Sequence, residues 1–354
     1  MRLARPFNDL AAHKSVALDA LSAAGGHVVA PACNLCGSTQ ARPFLTCRTH
    51  VLVTCVGCGL VYATERLGAV ELAEMYAHRY PPEAFLPQRE RKLAKAHREL
   101  ALLERLTTGR RLLDVGTSYG FFLVAARERG WSAVGVEIAP EPAEYARRIY
   151  GLDVRTGTLE TVPLEPAGFD VVTIRHVLEH VPDPLGMLRR AVALVRPGGL
   201  ILVAVPNLAS LAFRLNGRYW WWIDPPTHLY YFTPRTLRAM LQQAGLEVVL
   251  AQSERGDDHP LLYALLFSLN QRFRLGARLR RWRWPLGGHA GLDAPDEGRP
   301  AGPSWWGGHI WTAAQVLGEA LDRLARPLAV VPQRLLLCSE VLMIARRRVA
   351  ETGR

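Results

Sequence analysis

The chain has 354 residues, 49% hydrophobic and 21% charged. That excludes a disordered or fibrous protein and leaves room for one large domain with appendages. The formal charge of +11 invites a nucleic-acid or anionic-membrane partner. However, Lys14, Lys92 and Lys95 are the only lysines and arginine is spread along the chain, so GC-rich coding accounts for the charge and nucleic acid is not expected. No run reaches the roughly 18 apolar residues of a bilayer span. The opening MRLARPFNDLAAHKS has no apolar core of signal-peptide length, so a cytoplasmic protein is expected.

Residues 1–30 are Ala-rich and weakly helical. From 31 to 65 the chain is turn-rich and carries five of its six cysteines. Cys33-x-x-Cys36 and Cys55-x-x-Cys58 are separated by eighteen residues, a four-cysteine zinc spacing. Gly37 and Gly59 follow the pairs, where a tight turn favours glycine. Four thiolates fill a tetrahedral ion and leave no place for water, so a structural Zn2+ is expected. Cys47 reads as a bystander and Cys338 as a core residue of the last strand.

Residues 66–108 read as a charged helical linker. From 109 to 253 short apolar runs alternate with helical stretches: RRLLDVG, FFLVAARERG, WSAVGVEI, EPAEYARRIYG, FDVVTI, PLGMLRRAVALV, GGLILVAVPN, TPRTLRAMLQQAG and LEVVLAQS. This alternation predicts an α/β fold, a mostly parallel sheet with helices on both faces. Residues 254–334 are rich in Arg, Trp, Gly and Pro and read as a helical insertion, and 335–354 hold a last strand, SEVLMIARR, and a tail.

The strand LLDVG enters a glycine-bearing turn, Thr117-Ser118-Tyr119-Gly120, and then a helix, which makes a ligand cradle. Asp114 at the strand end repels a pyrophosphate and suits an ammonium or sulfonium. Glu137, at the end of the next strand, stands where an acid takes two ribose hydroxyls. Together they describe a nucleoside ligand that is not a phosphate ester.

From 110 to 207 the chain resembles the class I S-adenosylmethionine-dependent methyltransferases, through LLDVGTSYGFFL, VGVEI, FDVVTIRHVLEHVPDP and LVRPGGLILVAVPN in order. The resemblance implies a Rossmann-like seven-stranded sheet with an antiparallel last strand. It places Asp114 near the methionine ammonium, with Gly116, Ser118 and Gly120 at the cofactor backbone approach. Glu137 would hold the ribose, Ile138 would pack on adenine, Thr158 and Leu159 would lie at the adenine edge, and Arg175 and His176 beside the sulfonium. Ser118 departs from the family, which usually has glycine there; weaker or shifted cofactor contact is expected.

A hydroxyl or carbon acceptor needs a base with a pKa near working pH, as histidine offers. His176, His180 and His228 all fall where the C-terminal edge of the sheet should be. His176 and His180, four apart in RHVLEH beside Glu179, share one face if a helix begins there. They also suggest a metal, but the third ligand is missing, and none is expected; a packing or capping role is expected of His180. PPTHLYYFTP resembles a segment of small-molecule and deoxysugar methyltransferases, some of which carry a four-cysteine module and a histidine base near this point. His228 and His176 are therefore the candidate catalytic residues. WWWIDPPTHLYYF, within the loop 207–234, supplies candidate aromatic walls for a small-molecule or sugar-type acceptor. Residues 261–286 mix Arg, Trp and apolar residues in a way that suits peripheral membrane contact. Two other readings stay open. One is an RNA methyltransferase or nucleic-acid-binding zinc ribbon, although base-methylation motifs are missing. The other is a non-catalytic scaffold, against which the intact Asp114, Gly116, Gly120 and Glu137 argue.

Overall fold

The computed structural model describes residues 28–47, 50–65, 82–220, 222–225, 227–254 and 336–349. The expected helical insertion and its membrane-facing stretch 261–286 lie outside the described residues. So do the N-terminal segment up to residue 27 and residues 66–81 of the linker. Among the described residues no helix is long and apolar enough to cross a membrane.

Four short strands come first: β1 (Val28–Val29), β2 (Gln40–Cys47), β3 (His50–Cys55) and β4 (Val61–Ala63). Then follow α1 (Arg89–Glu104), β5 (Arg111–Val115), α2 (Phe121–Glu128), β6 (Ser132–Glu137), α3 (Pro140–Tyr150), β7 (Asp153–Thr156), β8 (Phe169–Arg175), α4 (Pro184–Leu194) and β9 (Val195–Pro206). The chain closes with α5 (Leu211–Asn216), β10 (Tyr230–Tyr231), α6 (Pro234–Gln243), β11 (Leu246–Glu254) and β12 (Glu340–Arg347).

Seven strands form one sheet in the order β11-β12-β9-β8-β5-β6-β7. β5, β6, β7, β8 and β9 pair in parallel, and β12 runs antiparallel between β9 and β11. The α/β expectation holds, with the last strand reversed as the resemblance implies. The inner strands β8, β9 and β12 are buried on both faces and mostly apolar, whereas the edge strands β7 and β11 are partly exposed and carry polar residues. On β9, Leu200, Leu202 and Ala204 pack toward α1, α2 and α3. Their neighbours Ile201, Val203 and Val205 pack toward α4 and α6. Each such leucine or valine contributes about 1.5–3 kcal/mol on burial.

Local chemistry sets the helix starts near the site. Asp183 caps α4 by accepting from Gly186 N at 2.9 Å, with proline next. Thr233 and Thr236 form a capping box at the start of α6. No helix begins at RHVLEH: residues 177–180 form a turn, closed by His180 N donating to Val177 O at 2.9 Å. His176 has a left-handed φ of 54°, which breaks the helical path before it starts. The expected shared helical face of His176 and His180 is therefore absent; the rings hydrogen-bond to different partners, Glu340 and Thr227 O, and both lie near Glu179 Oε1.

A second sheet has the order β1-β2-β3-β4-β10. Four of its strands belong to the cysteine-bearing module; the fifth, β10, comes from the aromatic loop more than 160 residues further on. Tyr230 pairs with Tyr62 and Tyr231 with Val61.

Candidate active site

The turn after β5 curls around Glu137. Gly116 has φ 73°, and a Cβ there would lie 2.3 Å from Val177 Cγ2, so both conformation and space demand glycine. Gly120, at φ 82°, precedes α2. Ser118, between them, takes φ 50° although it is not glycine. Its N–H donates to Glu137 Oε2 at 2.7 Å, and Ala139 N donates to Oε1 at 2.9 Å. Burial raises the Glu137 pKa, opposed by these backbone donors. Gly157 N donates to Glu137 O at 2.8 Å, which ties the turn carrying Thr158 and Leu159 to the same strand end. Ile138 follows Glu137 and is half-buried. Leu159 is fully buried, whereas Thr158 lies half-buried on the turn.

Asp114 is also fully buried. Its Oδ1 accepts from Thr173 Oγ1 at 2.6 Å and its Oδ2 from Thr117 Oγ1 at 2.7 Å. Arg175 Nη2 stands 3.5 Å from Oδ2. The cation against Asp114 is thus the Arg175 guanidinium, which lies 3.8 Å from the centre of the Phe122 ring and also reaches Glu99 at 3.6 Å.

Behind Arg175 lies a buried ionic cluster. Lys95 Nζ donates to both oxygens of Glu340, at 2.9 and 2.6 Å, and lies 3.8 Å from Glu99. Burial pushes Glu99 up to about 7 against the pull of Lys95 and Arg175. Burial would also raise Glu340, but Lys95 and His176 outweigh it and hold it at about 2.

His176 sits at the end of β8 with Nε2 2.9 Å from Glu340 and Nδ1 3.4 Å from Glu179. Burial would lower its pKa, but the two carboxylates raise it to about 10. At neutral pH the ring is therefore charged and already holds the proton a base would take. His228 is the opposite case. Burial, then His180, lowers it to about 4, so it is neutral with a lone pair available. Its Nδ1 lies 2.9 Å from Trp222 O; a carbonyl only accepts, so Nδ1 donates and Nε2 carries the lone pair. His180 is fixed likewise, with Nδ1 2.9 Å from Thr227 O, and its ring centre is 4.6 Å from that of His228.

The aromatic loop brings these rings together. Trp222 stacks near-parallel on His176 at 5.3 Å and on His228 at 5.7 Å. Trp220 is buried against Phe213 in a cluster with residues of the cysteine-module sheet. Trp221 and Pro226 lie outside the described residues. The loop is stapled to the turn below: Leu229 N and Tyr230 N both donate to Glu179 O, at 2.8 and 3.1 Å. Tyr230 OH donates to Pro182 O at 2.9 Å.

In the cysteine module, one Sγ from each of Cys33, Cys36, Cys55 and Cys58 lies within 4.8 Å of the others. Cys33 and Cys58 are 3.5 Å apart, Cys36 and Cys55 3.4 Å. These separations are far longer than the roughly 2.05 Å of a disulfide. They approach the roughly 3.8 Å edge of a tetrahedron with Zn–S bonds of about 2.3 Å. The two knuckles repeat each other: Gly37 N donates to Cys33 O at 2.8 Å and Gly59 N to Cys55 O at 2.9 Å. The donor set fits a structural zinc ion. The first knuckle docks on the core, because Asn34 Nδ2 donates to Asp183 Oδ1 at 2.7 Å and Leu185 N donates to Asn34 Oδ1 at 2.9 Å.

Lys95, Glu99 and Glu340 are site residues that sequence reasoning missed. Their hint was a lysine and a glutamate on the buried stripe of an otherwise charged helix.

Within this chain, residues 85–251 form a methyltransferase domain of the S-adenosylmethionine-dependent type. A family model described as "Methyltransferase domain" matches residues 85–251. Among similar proteins are "Ubiquinone biosynthesis O-methyltransferase" from Bordetella avium, 35% identical over 152 residues, covering 39% of this chain and 63% of that protein. The protein of the same name from Pseudomonas aeruginosa is 34% identical over 152 residues, covering 40% of this chain and 66% of that protein. The chain thus spans less than two thirds of the length of these relatives. Among solved structures, a SAM-dependent methyltransferase from Archaeoglobus fulgidus aligns with TM-score 0.45 at 21% identity, over 75% of this chain and 97% of that one.

Proposed function

We propose that this protein transfers the methyl group of S-adenosylmethionine to a ring hydroxyl of a small-molecule acceptor. His228 faces the acceptor and a structural zinc ion holds the cysteine module. The similar proteins' name, an O-methyltransferase of ubiquinone biosynthesis, supports an oxygen acceptor on a ring. The observation that carries the reading is the fixed, neutral His228 imidazole, buried among Trp222, His180 and Tyr231.

In this reading Glu137 and the Ser118 turn hold the nucleoside, each Glu137 oxygen having a second lone pair for a ribose hydroxyl. The cofactor supplies an electrophilic methyl group on a good leaving group. The protein's own part is to align acceptor oxygen and methyl, exclude water with the aromatic loop, and remove the acceptor's proton at the His228 side. Cys33, Cys36, Cys55 and Cys58 hold zinc away from the reacting atoms.

The test is incubation of the full chain with S-adenosylmethionine and separate panels of catechols, phenols and sugars, read by mass spectrometry for one added methyl. Transfer to a ring hydroxyl supports the reading. Methylation of sugar carbon alone would move the acceptor class, and absence of cofactor binding by calorimetry would overturn the reading altogether.

A further inference from the structure

The edge of the sheet remote from the candidate active site carries a second concavity. Residues 104–108, at the end of α1, residues 196–198, at the start of β9, and Arg346 of β12 line one groove there. This is the edge at which the parallel strands begin, whereas β6 and β8 end at the opposite edge with Glu137 and Arg175. We propose that the groove is a second binding site, distinct from the candidate active site, which takes a small anion bearing a phosphate or diphosphate group.

The groove has a volume of about 430 Å3, inside the roughly 300–1,000 Å3 range of small-ligand sites. Such sites are mostly apolar, but here only Leu106 and Pro197 contribute apolar side chains. Arg105, Arg196 and Arg346 bring positive charge, and Thr107 and Thr108 bring hydroxyls. Arg346 is half-buried and fixed: Nη1 donates to Gly198 O at 2.9 Å and Nη2 to Leu106 O at 3.3 Å. These bonds leave other N–H groups of its planar fork unused, and that fork matches phosphate oxygens. Thr107 Oγ1 accepts from Gly109 N at 3.1 Å and keeps its own proton to donate.

The carboxylates nearby are already engaged. Glu104, on the groove wall, pairs with Arg129 and accepts from Trp131 Nε1 at 3.1 Å. Asp170 pairs with Arg196 and accepts from Arg111 N at 2.8 Å. Among the described residues no carboxylate pairs with Arg105 or Arg346. Arg346 does serve the end of α1 through Leu106 O, but a helix C-terminus carries only about half a negative charge. Arg105 and Arg346 therefore leave the groove with surplus positive charge, which a bound anion offsets.

The experiment is calorimetric titration of the full chain with pyrophosphate and, separately, with cytidine diphosphate. It is run at about 0.15 M salt, where attraction between exposed charges is screened beyond about 8 Å. Wild type is expected to bind one equivalent of each probe. Equal affinities mean that the phosphates alone are held, and a tighter nucleotide means that the nucleoside adds contacts; either result supports the proposal. Arg105→Gln, at an exposed position, should keep the fold by far-UV circular dichroism and weaken binding by about tenfold, the loss of one charge-assisted hydrogen bond. Arg346→Gln should weaken it at least as much. Arg148→Gln, on the exposed side of α3, should change nothing. Absence of binding in wild type, or binding that survives both groove variants, overturns the proposal. An equal loss in Arg148→Gln would trace binding to the net charge of the chain, and binding of duplex RNA but of neither probe would make the groove a nucleic-acid surface; both overturn it.

Discussion

Tyr230 pairs with Tyr62 across an antiparallel ladder, so the loop that carries His228 is the edge strand of the cysteine module's sheet. Ala63 N donates to Leu229 O at 2.9 Å, one residue from His228. The module therefore holds the loop that carries His228. Cys55→Ser removes one thiolate and should loosen β3, β4 and β10 together. The expected result is a loss of methyl transfer of at least about tenfold, since small misplacements near reacting atoms are costly. Cofactor affinity, set at β5 and β6, should change less than about threefold, a difference under 1 kcal/mol. Equal losses of both would mean that the module supports the whole fold rather than the loop.

His228→Gln keeps a polar side chain but removes the imidazole. Methyl transfer should fall by about 10²- to 10⁴-fold, the range for loss of a positioned acid or base. Cofactor binding by calorimetry should stay near wild type, because Glu137 and the Ser118 turn are untouched. His176→Gln removes a ring that is charged at neutral pH, so base loss is not its expected effect. It should raise KM more than it lowers kcat, through the lost stacking on Trp222.

The sheet and the two knuckles were legible in the sequence because both rest on short-range pattern. Apolar runs of strand length alternate with helical stretches, and cysteines three apart can only turn toward a common point. The His176–His180 spacing misled for the same reason. Four residues imply a shared face only on a helix, and the left-handed His176 backbone ends that path. Contacts that join distant segments left no local trace. Lys95 meets Glu340 across 245 positions of sequence, and Tyr62 meets Tyr230 through a two-residue strand. His228 beside His180 follows from that same long-range docking.

In the proposed reading Glu137 is the acid on which nucleoside binding turns. Glu137→Gln preserves shape but removes the charge and puts an NH2 where one oxygen accepts from Ser118 N or Ala139 N. Hydrogen bonds to a charged group contribute about 1.5–3 kcal/mol, so cofactor affinity should fall by roughly 10- to 100-fold. Calorimetric titration checks this, with far-UV circular dichroism as the fold control. Unchanged affinity would take the ribose away from Glu137.

Ser118 holds a left-handed φ of 50° that glycine adopts without cost. A non-glycine residue there costs about 1–2 kcal/mol. Glycine gives back roughly 0.5–1 kcal/mol through the greater freedom of the unfolded chain. Ser118→Gly should therefore stabilise the protein by about 0.5–1 kcal/mol in denaturant unfolding. Destabilisation would show that the serine side chain makes a compensating contact.

Glu99 makes the stability of the domain depend on pH in a direction opposite to an ordinary paired carboxylate. Its side chain is fully buried and, among the described residues, neither oxygen receives a hydrogen bond. Its folded pKa is raised from 4.5 to about 7. Between those values the folded state binds the extra proton, so Glu99's contribution is most favourable below the unfolded pKa and is lost as pH rises through about 7. The full shift corresponds to about 3 kcal/mol at 1.36 kcal/mol per pH unit. Glu99→Gln abolishes this titration while leaving Lys95 on Glu340 and Arg175 on Asp114. At pH 8 the variant should be more stable than wild type by up to about 3 kcal/mol, and near pH 4.5 the advantage should vanish. Urea unfolding of both proteins at the two pH values decides it. A variant less stable at pH 8 would show that the attraction of Glu99 to Lys95 and Arg175 exceeds the cost of burying its charge.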